Sequence, residues 1–204
     1  MLEVKFSRRI WNLIRSMRIF LTPTIFSAGF WSQKDSIVNS ELKKLFEKLP
    51  DTVMNSRADS TVAKYTNGFK RFVKWSEKYP EITCILPCNE LYVALYLQHL
   101  IQNSAHYSTV EAAYYSINWA HKLAGVENPC VSDIVCHIVE GAKRQLNRPI
   151  AKKEPITPDI IIKLFNRFSG DFKNLKNLRL LTMCVLAYTG FLRYSDLCSI
   201  KAKH

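Results

Sequence analysis

No stretch of this 204-residue chain is long and apolar enough to cross a bilayer. The uncharged apolar run of residues 180–192 falls short of the ~20 residues a span requires and reads as a buried helix, so no membrane partner is expected. The six cysteines (Cys84, Cys88, Cys130, Cys136, Cys184, Cys198) form no CxxC pair and no Cys/His zinc spacing, so no metal and no cofactor is expected. A reducing compartment fits that usage, and Cys184 and Cys198, set among apolar residues, read as small core fillers. The six glycines nowhere gather into a phosphate-cradling loop. There is no HExxH, no nucleophile elbow and no acid/base carboxylate pair. His99, His106, His121 and His137 are scattered, with no ligand pair four residues apart, and read as core or surface residues. No segment alternates in strand fashion, and no internal repeat occurs.

Acidic residues are also scarce. Against 29 Lys+Arg stand 17 Asp+Glu, a formal charge of +12. Such an excess favours an anionic partner, nucleic acid foremost. With 48% hydrophobic residues the chain has ample material for a packed core. The first 31 residues hold one acid, Glu3, and five bases, Lys5, Arg8, Arg9, Arg15 and Arg18. That composition is shared with mitochondrial leaders, and IFLTPTIFSAGF (19–30) after it resembles a signal peptide except that Thr22-Pro23-Thr24 breaks its apolar part; residues 1–35 are expected to be a poorly ordered leader of uncertain role. No address is read from it: the compartment is the nucleus in a eukaryotic host and the cytoplasm otherwise.

The rest is helix after helix. Residues 36–56 hold an N-terminal helix and connection, in which Leu42, Leu45, Phe46 and Leu49 recur at helical spacing and Pro50 marks the end. In the helix predicted over 59–79, Val62, Tyr65, Phe69, Phe72, Val73 and Trp75 lie mostly on one face, with lysines and Arg71 over much of the remainder. Residues 89–101 are apolar almost all round and predict burial between other helices. The helix over 108–126 opens with Ser108 and, three residues on, Glu111, the capping-box spacing, and closes at Gly125. Further helices are predicted over 132–146, 157–168 (Pro158 in the first turn) and 174–188. The division expected is a helical DNA-binding domain over 57–147, a basic linker over 148–156 and a second domain beginning at 157. The fold class is all-α.

The cations are candidates for phosphate contact. Thr61, Lys64, Lys70, Arg71 and Lys74 fall on one helix. Ser108 and Thr109 open another, where free backbone N–H groups suit an anion, and Lys122 ends it. Lys143, Arg144, Arg148, Lys152 and Lys153 surround the linker. A charge run on one helix is ordinarily a solvated face; several of them around a linker favour a groove that tracks phosphates. The aromatic residues Tyr65, Phe69, Phe72, Trp75, Tyr114, Tyr115 and Trp119 read as core, not as base-stacking platforms. Arg193 and Asp196, three apart, form either an ordinary helical ion pair or a rigidly aimed phosphate fork.

The segment AYTGFLRYSDLCSI (187–200) resembles the first catalytic-arginine motif of the tyrosine recombinases, the phage integrase family, whose usual form is TG-x-R-x-SEL. Arg193, Ser195, Asp196 (for Glu) and Leu197 match. Two residues separate Gly190 from the arginine where most members have one, as in Cre-like and eukaryotic transposon-derived members. STVEAAYYSINWAHKLAGVENP (108–129) is similar to a core-binding-domain helix of the family, with its His-Lys-x-x-Gly-x-x-x-Pro end, and VEGAKRQL…KKEPIT to the basic stretch entering the catalytic domain. The resemblance spans about residues 57–200. It implies a SAM-like helical core-binding domain followed by the first helices of a catalytic domain, and double-stranded DNA as partner, with self-association on DNA left open. It assigns phosphate-clamping to Arg193 and structural support of that arginine to Asp196. The family's lysine, H-x-x-R box and nucleophilic tyrosine lie downstream of this motif, and the chain ends at His204, so a truncated recombinase without activity of its own is expected. The alternatives are one part of a recombinase completed by another polypeptide, and a helical protein-interaction module whose basic surface is incidental.

Overall fold

Helical periodicity dominates because apolar residues recur three and four apart from residue 40 onward, and in the computed structural model the chain follows it. The structure describes residues 23–148, 154–168 and 174–200, and among these there is no strand. The elements are α1 (Ser40–Met54), α2 (Asp59–Ser76), α3 (Glu90–Asn103), α4 (Tyr107–Ala124), α5 (Asp133–Gln145), α6 (Pro158–Phe168), α7 (Leu175–Gly190) and α8 (Tyr194–Ser199). Short 3₁₀ turns cover Gly29–Ser36 and Pro129–Val131. Two compact units result, Met1–Arg148 and Pro149–His204.

The first unit is built on the α2–α4 pair. Gly68 of α2 lies directly over Ser116 of α4, where a β-carbon would meet Ser116 Oγ at 2.1 Å and Ser116 Cβ at 2.7 Å. Absence of a side chain therefore sets how closely the two backbones approach. Tyr65 and Trp119, centroids 5.8 Å apart, pack one turn away. Residue numbers rise on α2 as they fall on α4, so the helices are antiparallel. Beneath them lie Phe69, Phe72, Val93, Leu97, Val110, Ile117 and Val135, buried against α3 and α5. Trp75, Phe72 and Tyr96 continue the core as a ring cluster, with centroids 5.0–6.3 Å apart.

Several expectations are corrected. Residues 23–35 do not lie outside the folded unit as a leader would: Ile25 is fully buried, and the Trp31 indole N–H donates to Leu123 O at 2.8 Å. The signal was local and aromatic, with Phe26, Phe30 and Phe46 surrounding Trp31, and helical periodicity does not register it. Residues 1–22 lie outside the described residues. Helix α1 runs through Pro50 to Met54 instead of stopping before it; Phe46 and Met54 pack inward, while Leu42 and Leu45 stay exposed. Helix α3 is not buried all round, since Leu91 and Leu95 face solvent. The capping box at Ser108 does not form: α4 begins at Tyr107 after His106, with no side-chain cap. Its other end is as expected, Gly125 adopting φ 67° and closing the last turn. Cys198 is exposed and Cys184 half-buried; the buried thiols are Cys88 and Cys130.

In the second unit α6 packs on α7. Among its described residues only Leu181 is buried, and Ile160, Ile162, Phe165 and Leu180 are exposed.

Candidate nucleic-acid interface

The core lies on one side of the α2–α4 pair, which leaves the opposite side to solvent. On α2, Lys64, Arg71 and Lys74 are all exposed and fall within an arc of about 80°. On α4, Ser108, Tyr115 and Lys122 are exposed, seven residues apart, and drift by only about 40° over that length. Both stripes adjoin the α2–α4 seam away from the core, so they share one face. The antiparallel arrangement sets Ser108 near the Lys74 end and Lys122 near the Lys64 end. The α2 stripe contains no carboxylate, whereas half-buried Glu111 lies beside the α4 stripe, within about 60° of each of its members.

Thr61 and Thr109 are half-buried in the first turns of α2 and α4, and Lys70 is half-buried at the margin of the α2 stripe. Helix α4 starts with no acidic residue in its first turn and no side-chain cap; the Thr109 N–H donates to His106 O at 3.2 Å, and the Tyr107 and Ser108 amides before it are left uncapped. Helix α2 differs, because Asp59 sits in its first turn. Lys143 and Arg144 extend from the last turn of α5, where their charge complements the helix dipole, and Arg148 is exposed just beyond. They form a second basic patch on this unit. Lys152 and Lys153 lie outside the described residues.

Reading the aromatics by helical spacing misplaced Tyr115, which was expected in the core and is instead 48% exposed in the middle of the α4 stripe. The spacing Ser108–Tyr115–Lys122, two exact heptads, was the available signal. It also passed over the structural meaning of the His-Lys-x-x-Gly-x-x-x-Pro segment. His121 is fully buried and accepts the Cys88 N–H on Nε2 at 3.1 Å, which leaves Nδ1–H to donate to Ile117 O at 2.9 Å. Gly125 caps the helix and Pro129 starts the following 3₁₀ turn. Of that segment, Lys122 and Glu127 are the charged residues turned outward.

In the second unit the arginine motif is not one continuous helix. Helix α7 ends at Gly190, Phe191 turns the chain at φ 49°, and Arg193 is the residue that caps α8. The ordinary ion pair between Arg193 and Asp196 is replaced by a backbone bond: Asp196 Oδ2 accepts the Arg193 N–H at 3.2 Å. The carboxylate thus fixes the arginine's backbone and the start of α8, while the exposed guanidinium has no partner among the described residues.

No activated nucleophile accompanies these groups among the described residues. Burial pushes the Cys88 thiol up to about 11 and the Cys130 thiol up to about 12. Tyr114 is raised to about 12, by burial first and then by Cys136. Tyr194, next to Arg193, is raised by its hydrogen bond to Cys198. Each shift disfavours the anion that would attack. Among the described residues no cluster of His, Cys, Asp or Glu is arranged to hold a metal ion, and no helix is long and apolar enough to cross a membrane. Compared with protein-family models and with curated proteins, the chain finds no match.

Proposed function

We propose that the chain binds double-stranded DNA through the outward face of the α2–α4 pair, as the SAM-like core-binding domain and the first catalytic-domain helices of a tyrosine recombinase. The observation that carries the reading is the pair of stripes Lys64/Arg71/Lys74 and Ser108/Tyr115/Lys122 on one face of an antiparallel helix pair, four cations against the single half-buried carboxylate of Glu111. Lys/Arg side chains at that spacing neutralise successive phosphates, and hydroxyls with free first-turn amides supply neutral contacts beside them. The patch of Lys143, Arg144 and Arg148 adds a second contact, and Arg193 reaches a phosphate from the second unit. Arg193 stabilises charge on that phosphate, and with no activated nucleophile beside it among the described residues the activity proposed is DNA binding without cutting.

The test is a salt titration of duplex binding. The logarithm of affinity falls linearly with the logarithm of salt, by about 0.9 per phosphate neutralised. Salt-independent or absent binding overturns the reading. The exposed Leu42 and Leu45 of α1 favour the second reading, a protein-interaction module, and that reading gains if duplex DNA is not bound.

A further inference from the structure

Where α1 ends beside the α2–α4 pair, the first unit has a concavity of about 400 Å³. Besides the aliphatic Val53, Met54, Val62 and Leu123, its walls are of two kinds. The half-buried rings of Tyr65 and Trp119, together with exposed Tyr115, form an aromatic side. Arg57, Lys122 and Asn118 form a polar side, and no carboxylate lines the cavity.

The polar side is made of donors. Arg57 and Lys122 are exposed and carry no ion pair among the described residues. The orientation of Asn118 follows from a short chain of hydrogen bonds. Asn128 Oδ1 accepts the Cys130 N–H at 3.1 Å, so Asn128 Nδ2 is the atom turned to Asn118, donating to its Oδ1 at 2.6 Å. The Asn118 carbonyl is thereby committed, and its Nδ2 donors remain for an acceptor. A site with aromatic faces, amide donors and two cations suits a flat, acceptor-rich ring attached to a phosphate. A paired base within a duplex cannot offer its face to such a recess, whereas an unpaired one can.

We infer that this cavity seats a single unpaired nucleotide of DNA, its base against Tyr65, Tyr115 and Trp119, its carbonyl acceptors on Asn118 Nδ2 and its phosphate on Arg57 and Lys122. The inference rests on the duplex-binding reading, since Lys122 belongs both to the cavity and to the α4 stripe. It gives the interface a preference for distorted or opened DNA over regular duplex.

The experiment compares three probes of one sequence: a perfect duplex, the same duplex with one extra unpaired thymidine, and the single strand. Wild-type protein binds the bulged duplex about tenfold or more tighter than the perfect one, the scale of one stacked base. Tryptophan fluorescence is quenched on binding, and Trp119→Phe removes most of that quenching. Asn118→Asp keeps an acceptor for Asn128 Nδ2, so the fold is retained, but removes the donors, and the bulge-to-duplex ratio falls towards one. Circular dichroism confirms that both variants are folded. Equal affinity for bulged and perfect duplex, with no Trp119-dependent quenching, overturns the nucleotide seat and leaves duplex binding standing. Failure to bind any probe overturns both.

Discussion

Replacing Gly68 by alanine tests the α2–α4 crossing on which the proposed interface depends. In an open helical position the change stabilises by about 1 kcal/mol, because alanine loses less backbone freedom than glycine on folding. At residue 68 the new methyl falls 2.1 Å from Ser116 Oγ and 2.7 Å from Ser116 Cβ. Rotating the hydroxyl away breaks its 2.6 Å bond to Ala112 O, yet the β-carbon stays where the backbone holds it. The helices must therefore part, and overpacking of this kind costs about 1–3 kcal/mol. With the overlap at the severe end, the net effect is a loss of about 1–2 kcal/mol, a fall in Tm of roughly 3–8 °C.

Gly141 of α5 supplies the control. A β-carbon there meets nothing within 4 Å, so Gly141→Ala gains up to about 1 kcal/mol. The assay is urea unfolding followed by tryptophan fluorescence; Trp31, Trp75 and Trp119 all lie in the first unit, so the signal reports that unit. Gly68→Ala combined with Ser116→Gly removes both overlapping atoms and makes the pair less destabilising than the sum of its parts. If Gly68→Ala stabilises as Gly141→Ala does, the close crossing is refuted, and with it the placement of the two stripes on one face.

Three further outcomes are expected. His121 is neutral in the fold, and burial lowers its pKa, opposed by the Ile117 carbonyl; the unfolded chain therefore binds the extra proton, and stability falls as pH drops below about 6.5, by up to ~1.4 kcal/mol per unit until the folded pKa is passed. His121→Gln flattens that slope between pH 6.5 and 5, and an unchanged slope refutes the assignment. Neutralising Lys64, Arg71 and Lys74 together weakens duplex binding and reduces the salt slope by about three phosphates' worth, whereas Arg193→Ala removes one contact at most; equal losses in the two variants overturn that partition. Incubated with a suicide DNA substrate, the chain forms no covalent adduct on a denaturing gel, and an adduct refutes the absence of an activated nucleophile.

What the sequence made legible was whatever repeats at the helical period. The inward face of α2 was readable because Val62, Phe69 and Phe72 recur over about three turns. What was missed depends on single contacts that no period marks. Trp31 joins the fold through one indole hydrogen bond and a ring cluster gathered from residues 26–46, so its segment had the composition of a leader and the structure of a core element. Ser108 and Glu111 have the spacing of a capping box, but the helix begins one residue earlier and the pair is out of register. Arg193 and Asp196 have the spacing of a helical ion pair, but the chain turns at Phe191 and Asp196 binds the backbone instead.

The candidate site was legible as a set of cations and illegible as a surface, because spacing along one helix says nothing about which face a second helix covers. That relation comes from Gly68. A glycine in mid-helix is unfavourable by local propensity, and its reason lies on the other helix, in the side chain of Ser116. Once that contact sets α2 and α4 antiparallel and close, burial of Phe69, Phe72, Val110 and Ile117 fixes which way both helices turn. Lys64, Arg71 and Lys74 then have only one direction to face, and Ser108, Tyr115 and Lys122 face it with them. The charge pattern supplies affinity for an anion; the single missing side chain at residue 68 determines that the charges act as one surface.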